Sequence, residues 1–272
     1  MDALAQAVLQ YVAASETKVS FGRLRRHFCV SGIYDLRVLK RQVSALVQEG
    51  VLCYTYHYGR SFIERAYDRP RFISNHVVLK PPRCAYSASP GTHIVSLERG
   101  AAFGGGEHPT TRLCIHLMDE QFHLPSWRRR LAFCHGLDIG TGSGVLAIVA
   151  AKMGVASVHG LDTDPCAVYE AHVNVGLNKL TQKIQISGDR VETISGSFDV
   201  VFANLRLPTL IGLTTVLKGR LRPTCAAFLS GVKDDEMQAV IDAYAPMGFF
   251  PRQKCCEKGW GAVCLTRGDL AT

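Results

Sequence analysis

Long hydrophobic runs are missing from this 272-residue chain. No stretch of about 18 apolar residues occurs, so no membrane-spanning helix is expected. None of the ten cysteines forms a CxxC pair, which removes the usual zinc-ribbon spacing, and no metal-ligand set is expected. The start of the chain carries no basic leader, so no signal peptide is expected. Internal repeats and low-complexity tracts are absent too. What is there suits a folded protein: 47% of residues are hydrophobic and 20% charged, enough apolar material for a packed core. The length allows one large domain or two modest ones. Scattered cysteines, several in apolar runs, point to reduced thiols in a cytosolic protein; adjacent Cys255 and Cys256 leave a minor redox-pair alternative.

The net charge of +8 is unevenly placed. Residues 1–90 hold 13 Lys/Arg against 6 Asp/Glu, while residues 91–272 hold 18 against 17. Two parts with different work are expected. In the first part, residues 2–14 place Leu4, Val8, Leu9 and Val12 on one helical face. A second helix is expected over 20–28, capped by Ser20. A third carries Leu36, Leu39, Val43, Leu46 and Val47 at three-and-four spacing and stops at Gly50. Segments 51–56 and 61–67 read as a hairpin around Gly59. Three helices and a hairpin is the order of a winged helix. Arg37, Lys40 and Arg41 fall opposite the apolar stripe of the third helix, where a nucleic-acid reader carries its charge; a solvated face of a protein-docking module fits equally. Residues 1–70 are therefore expected to form a basic, winged-helix-like α+β recognition domain. Residues 71–92, rich in proline, are expected to be a connector with one strand near 76–79.

Beyond residue 109 the pattern is α/β. Strands are expected at 137–139, 157–161, 184–187, 199–203, 226–230, 249–254 and 262–266, with helices between the first five and another at 234–244. Short apolar strands alternating with helices imply a mostly parallel sheet covered on both faces. The last two strands are joined by only a few residues, too few for a parallel crossover, so the last strand runs antiparallel.

Four stretches carry chemistry. Leu137-Asp138-Ile139-Gly140-Thr141-Gly142-Ser143-Gly144 is a strand, a glycine turn and a helix start, placed where ligands bind in open α/β sheets. Its spacing is GxGxG, and Val145 stands where a dinucleotide fingerprint needs glycine. Asp138 before the turn suits a cationic ligand. Gly160-Leu161-Asp162-Thr163-Asp164-Pro165 ends the next strand with an acid able to accept both hydroxyls of a ribose, while Asp164 caps the helix begun by Pro165. Asp189 is either an adenine contact or an exposed turn residue. Phe103-Gly104-Gly105-Gly106-Glu107-His108-Pro109-Thr110-Thr111 leads into a helix whose N-terminus would receive a carboxylate. His108, without a partner at ligand spacing, reads as a structural hydrogen-bonding residue. Asn204, at the tip of the fourth strand, lies beside the same crevice, where it would either accept a hydrogen bond from a substrate amine or line the cofactor; a lone Asn at a strand end is otherwise only a turn residue.

In this combination, AFGGGEHPTT, LDIGTGSGVLAI, GLDTDP and DVVFANL, the chain resembles the ribosomal-protein methyltransferases called PrmA over roughly residues 93–267. The resemblance implies a class I, Rossmann-like, seven-stranded methyltransferase domain over 93–272 using S-adenosylmethionine. It implies cofactor contacts at Thr111, Gly140, Asp162 and Asn204, and a loop containing Phe103 and His108 that closes over the methionine part. Thr110, Asp138, Gly142 and Thr163 belong to the same expected cofactor site, and Asn204 is the expected catalytic residue. The expected reaction is N-methylation of lysine or α-amino groups on a protein, with a ribosomal protein or another acidic or ribonucleoprotein surface as partner. Two alternatives are an RNA or DNA methyltransferase, and a non-catalytic regulator that senses the cofactor and binds nucleic acid. The chain departs from the family pattern at Gly105, where the loop usually carries Thr; at Leu205-Arg206-Leu207-Pro208; at Pro223-Thr224-Cys225, where Pro-Gly-Gly is common; and throughout residues 1–70.

Overall fold

The computed structural model describes residues 3–268, except 16, 31–33, 58–59, 67–68, 99, 101 and 107. The chain divides into two compact units, Met1–Pro70 and Arg71–Thr272.

In the first unit the apolar stripes of three helices meet. These are α1 (Ala3–Ala14), α2 (Phe21–Cys29) and α3 (Leu36–Gln48), followed by an antiparallel hairpin of β1 (Leu52–His57) and β2 (Arg60–Arg65). Leu4, Val8, Leu24, Leu39, Val43, Leu46 and Ile63 are fully buried together. Ser20 caps α2 by accepting from the Arg23 N–H, and Asp35 caps α3, each satisfying helix donors that would otherwise be unpaired. Gly50, at φ 64°, follows the end of α3. Val19 adds an isolated bridge to Ile63. The expected hairpin turn at Gly59 lies outside the described residues. Arg37, Lys40 and Arg41 are exposed on α3, opposite its buried stripe.

Residues 71–92, expected as a connector, instead cluster with the second unit. They supply β3 (Arg71–Phe72) and β4 (Val77–Lys80), which join β5 (His93–Ser96) in a small sheet with β4 and β5 parallel. The cause is apolar: Val77, Leu79 and Val95 bury themselves in the same core as the large sheet.

The large sheet follows helices α4 (Pro109–Phe122) and the short α5 (Pro125–Arg128). It comprises β6 (His135–Ile139), β7 (Ser157–Leu161), β8 (Ile184–Ser187), β9 (Phe198–Asn204), β10 (Leu221–Lys233), β11 (Phe250–Glu257) and β12 (Trp260–Arg267). Between them lie α6 (Val145–Lys152), α7 (Pro165–Leu177), α8 (Leu207–Leu217) and α9 (Met237–Tyr244). Strand order is β11-β12-β10-β9-β6-β7-β8. β12 is antiparallel to both its neighbours, and the pairs from β10 to β8 are parallel. Along β9, Val200 and Phe202 enter the core on one face, while Val201 and Ala203 enter the core on the other. This is the two-residue alternation of a sheet covered on both sides. α6 is buried from Val145 to Ala151, so it is apolar all round rather than amphipathic.

Two expectations change. No helix joins β8 to β9: residues 188–197 form turns and loop, a short crossover punctuated by Gly188 and by Gly196 at φ 110°. β10 is also longer than the expected 226–230, reaching 13 residues. Pro223, which cannot donate to a ladder, falls where the register with β9 shifts between Leu221 and Ala226. A second irregularity lies between Ser230 and Val232.

Candidate active site

The sheet order reverses between β6 and β9. Chain direction carries β6 to β7 and β8 on one side, then returns to β9 on the other, leaving a crevice beyond the strand ends where ligands bind in such sheets. A cleft of about 970 Å³ lies there, within the range that holds a nucleoside-sized molecule.

The glycine turn is built from below. Asp138 is fully buried at the end of β6; its Oδ2 accepts from Thr141 Oγ1 at 2.7 Å and from the Ala147 N–H at 3.1 Å. It thereby ties the turn to the first residues of α6. Its other oxygen is buried with no partner, and burial raises its pKa to about 7. Asp138 is not among the residues lining the cleft. Its bonded oxygen faces Thr141 and Ala147 beneath the loop and supports the turn.

Above it, the backbone must come close. Gly142 sits at φ 55°, and a Cβ there would stand 2.3 Å from the Phe103 carbonyl oxygen. Its N–H donates to Asp162 Oδ2 at 2.9 Å, and the Asp164 N–H donates to Asp162 Oδ1 at 3.0 Å. Both carboxylate oxygens of Asp162 are thus oriented, with lone pairs left for the cleft it lines. Asp164 caps α7 through the Cys166 N–H, with Pro165 in the first turn, so the two acids divide the labour as their spacing suggests. Gly140, Gly142, Asp162, Thr163 and Asp189 all line the cleft.

The loop before α4 is pinned to this turn. The Ser143 N–H donates to the Phe103 carbonyl at 2.9 Å, Ser143 Oγ donates to the Gly104 carbonyl at 2.9 Å, and Glu170 accepts from the Ala102 N–H. Phe103, His108 and Thr110 line the cleft. His108 is also the N-cap of α4; its Nδ1 accepts from the Thr110 N–H, and it contacts Thr110 Oγ1 at 2.8 Å. With Pro109 lacking a donor, the helix start is capped from within, and the carboxylate site expected there loses the Thr110 N–H. The His108 ring meets the rings of Trp260 at 4.7 Å and Phe103 at 5.3 Å. Burial, then Arg112 and Lys233, lower its pKa from the ordinary imidazole value. The ring is therefore neutral at physiological pH and adds no positive charge to the cleft.

Thr111 is fully buried and outside the lining. Its Oγ1 accepts a hydrogen bond from Asn204 Nδ2 at 3.3 Å. Asn204 Oδ1 is buried with no partner, and Asn204 lines the cleft. Its position is set by the chain just after it. The Leu205 N–H donates to the Ser230 carbonyl at 2.9 Å, and a Cβ on Gly231 would stand 2.4 Å from the Leu205 oxygen, so only glycine lets β10 pass this close. Arg190, Val191, Leu205, Arg206 and Trp260 also line the cleft and carry no local sequence signal. Trp260 arrives from β12, far along the chain from the glycine turn.

None of the ten cysteines is in a disulfide. Burial pushes the thiol pKa of Cys134 and Cys225 to about 11 and that of Cys264 to about 12. Cys255 is half-buried and Cys256 exposed; as neighbours on a strand they point to opposite faces.

Comparison with known proteins agrees with this architecture. Residues 64–268 match the family model described as Ribosomal protein L11 methyltransferase (PrmA). The chain is 34% identical over 204 residues to the ribosomal protein L11 methyltransferase of Geotalea daltonii, covering 74% of this chain and 65% of that protein. It is 36% identical over 195 residues to that of Syntrophotalea carbinolica, covering 72% and 62%. The crystal structure of the ribosomal protein L11 methylase from Lactobacillus delbrueckii subsp. bulgaricus superposes with a TM-score of 0.65 at 26% identity, covering 74% of this chain and all of that one. The chain thus spans a little under two thirds of the length of these curated relatives. With the seven-stranded sheet, the glycine turn over Asp138 and the family match running from residue 64 to 268, the chain belongs to the PrmA family of methyltransferases.

Proposed function

We propose that the chain transfers a methyl group from S-adenosylmethionine to an amine nitrogen on a protein. The observation that carries this reading is Asn204: its amide nitrogen is engaged by Thr111, leaving a buried, unpartnered carbonyl oxygen at the cleft. Such an oxygen is costly to leave unmade and suits an amine that must be held with its lone pair aimed. The cleft fits the cofactor as well. Asp162 offers an oriented carboxylate for a diol, the Gly140–Gly142 turn admits a ligand against backbone, and Phe103 stands at the rim, half exposed. When bound, S-adenosylmethionine supplies an electrophilic methyl on sulfur, so the protein needs to orient and desolvate rather than form covalent bonds. Asn204 accepts from the attacking amine. Neutral His108 avoids repelling a cationic ligand, and Phe103, His108 and Trp260 exclude water. An ammonium acceptor loses its proton more readily on entering such a site, because burial disfavours the charged form.

The names of the relatives favour a ribosomal protein as the acceptor, and the free thiols fit a reducing cytosol. The family match starts at residue 64, so the first unit is read separately, as a winged-helix-like docking domain. Its helix order, the Val19–Ile63 bridge and the exposed Arg37, Lys40 and Arg41 support that reading. The same basic face supports a second reading in which this unit grips RNA, with binding that weakens steeply as salt is raised. Calorimetric titration with S-adenosylhomocysteine tests the cofactor assignment: one site per chain is expected, and no heat of binding refutes it.

A further inference from the structure

A second cluster of polar groups lies at the opposite end of α4 from the cleft. Asp119, in the last turns of this helix, is only 2% exposed. The Nδ1 atoms of His76 and of His123 each lie 2.9 Å from the same oxygen, Asp119 Oδ1. All three ligand-capable atoms fall within 4.8 Å of one another. The two imidazoles stack with centroids 3.9 Å apart. The other carboxylate oxygen accepts from the His76 backbone N–H at 3.0 Å, so the orientation of Asp119 is fixed by the main chain. His93, at the start of β5, adds a third imidazole with its centroid 6.4 Å from that of His123.

We propose that His76, Asp119 and His123 bind a divalent transition-metal ion of zinc type, a site separate from the methyl-transfer cleft. Two imidazoles and one carboxylate suit zinc, copper or nickel, whereas calcium and magnesium prefer all-oxygen shells. The elements that carry the ligands are anchored: Val77 and Val78 follow His76 in the core, and Met118 and Phe122 flank Asp119 and His123 there. The imidazoles are one-third to two-fifths exposed, which gives an ion a path in. His123 Nδ1 also lies 2.7 Å from the Asp119 backbone carbonyl oxygen, to which it donates; coordination through Nδ1 therefore gives up that bond, moves the proton of each neutral ring to Nε2, and requires the stacked rings to splay by side-chain rotation so that both lone pairs converge. The fourth position is left to water or to His93. The ion would staple the start of β4 to the end of the helix whose other end holds His108 and Thr110.

The test uses the full chain stripped of metal with a chelator and titrated with Zn²⁺ alone. One equivalent is expected to bind, and to raise the melting temperature. His76→Gln and His123→Gln keep a side-chain donor to Asp119 while removing a good ligand; each is expected to weaken binding by about tenfold or more, the range seen when metal-site groups are lost. Far-ultraviolet circular dichroism checks that both variants fold. Co²⁺ substitution separates this site from the cysteines, since thiolate ligation adds an intense near-ultraviolet charge-transfer band that an imidazole–carboxylate site lacks. Absence of binding, unchanged binding in both folded variants, or a thiolate band each overturns the proposal; S-adenosylhomocysteine binding by the same samples stands apart from all three.

Discussion

Replacing Asp138 with asparagine should change how stability responds to pH, in a direction fixed by where its carboxyl sits. Burial raises its pKa from the ordinary value of 3.8 to about 7, against the lowering effect of the bonds from Thr141 and Ala147. The acid therefore stays protonated in the folded chain over a range where the unfolded chain has released the proton. More protons are bound folded than unfolded, so stability falls as pH rises through that range. Below pH ~4 both states are protonated and the group costs nothing; above pH ~7 both are ionised and the full penalty applies. At about 1.4 kcal/mol per unit, a window of roughly three units amounts to ~4 kcal/mol as an upper bound. The Asp138→Asn chain has no carboxyl to titrate there, so wild-type stability relative to the variant should decline by about 1.4 kcal/mol per pH unit between pH ~4.5 and ~6.5 and level off above pH ~7. Urea unfolding followed by tryptophan fluorescence measures this cleanly, because Trp127 and Trp260 are the only tryptophans and both lie in the second unit. A difference between the two chains that stays flat from pH ~4.5 to ~8 would refute a raised carboxyl under the turn.

Three further outcomes follow from the same geometry. Gly142→Ala should abolish S-adenosylhomocysteine binding, since its Cβ would stand 2.3 Å from a backbone oxygen at a φ of 55°; a calorimetric affinity like that of wild type would show the turn is not the cradle. Asp162→Ala should weaken that binding by about ten- to a hundredfold, by removing charge-assisted bonds to the ligand and the anchors for two backbone N–H groups; an unchanged dissociation constant would remove Asp162 from the site. Because the pKa of His108 is lowered, cofactor affinity should hold from pH ~8 down to about 6.5 and decline only below it as the ring gains charge, a decline absent from His108→Gln; identical profiles for the two chains would show that this ring does not face the ligand.

Much of this was readable locally. β9 and the buried middle of β10 are apolar runs, and the caps Ser20, Asp164 and Gly50 act within a few residues of themselves. Asp162 and Asn204 were readable because strand ends in parallel sheets converge on one crevice. What was not readable depends on contacts between distant segments. β3 and β4 looked like a proline-rich connector, since only burial of Val77 and Leu79 against Val95 and the α4 core makes them part of the second unit. The bonds of Asp138 to Thr141 and of Thr111 to Asn204 beneath the cleft carry no signal in the local sequence, the second joining residues 93 positions apart. His76 meets Asp119 across 43 positions, beyond the reach of any spacing rule. At the departure Leu205-Arg206-Leu207-Pro208, Asn204 is positioned by the backbone bond from Leu205 to Ser230 and by the close approach of Gly231.

The proposed reaction is amine methylation on a protein, with Asn204 orienting the acceptor. Incubating the full chain with methyl-labelled S-adenosylmethionine and fractionated cell extract tests it most directly, with wild type and Asn204→Ala run side by side. Label should enter material that is destroyed by protease and untouched by nuclease, and the variant should still bind S-adenosylhomocysteine while transferring at least about a hundredfold less, the scale of losing an oriented polar group at a reacting centre. Label in nuclease-sensitive material would rule out a protein acceptor, and full transfer by the variant would remove Asn204 from the reaction.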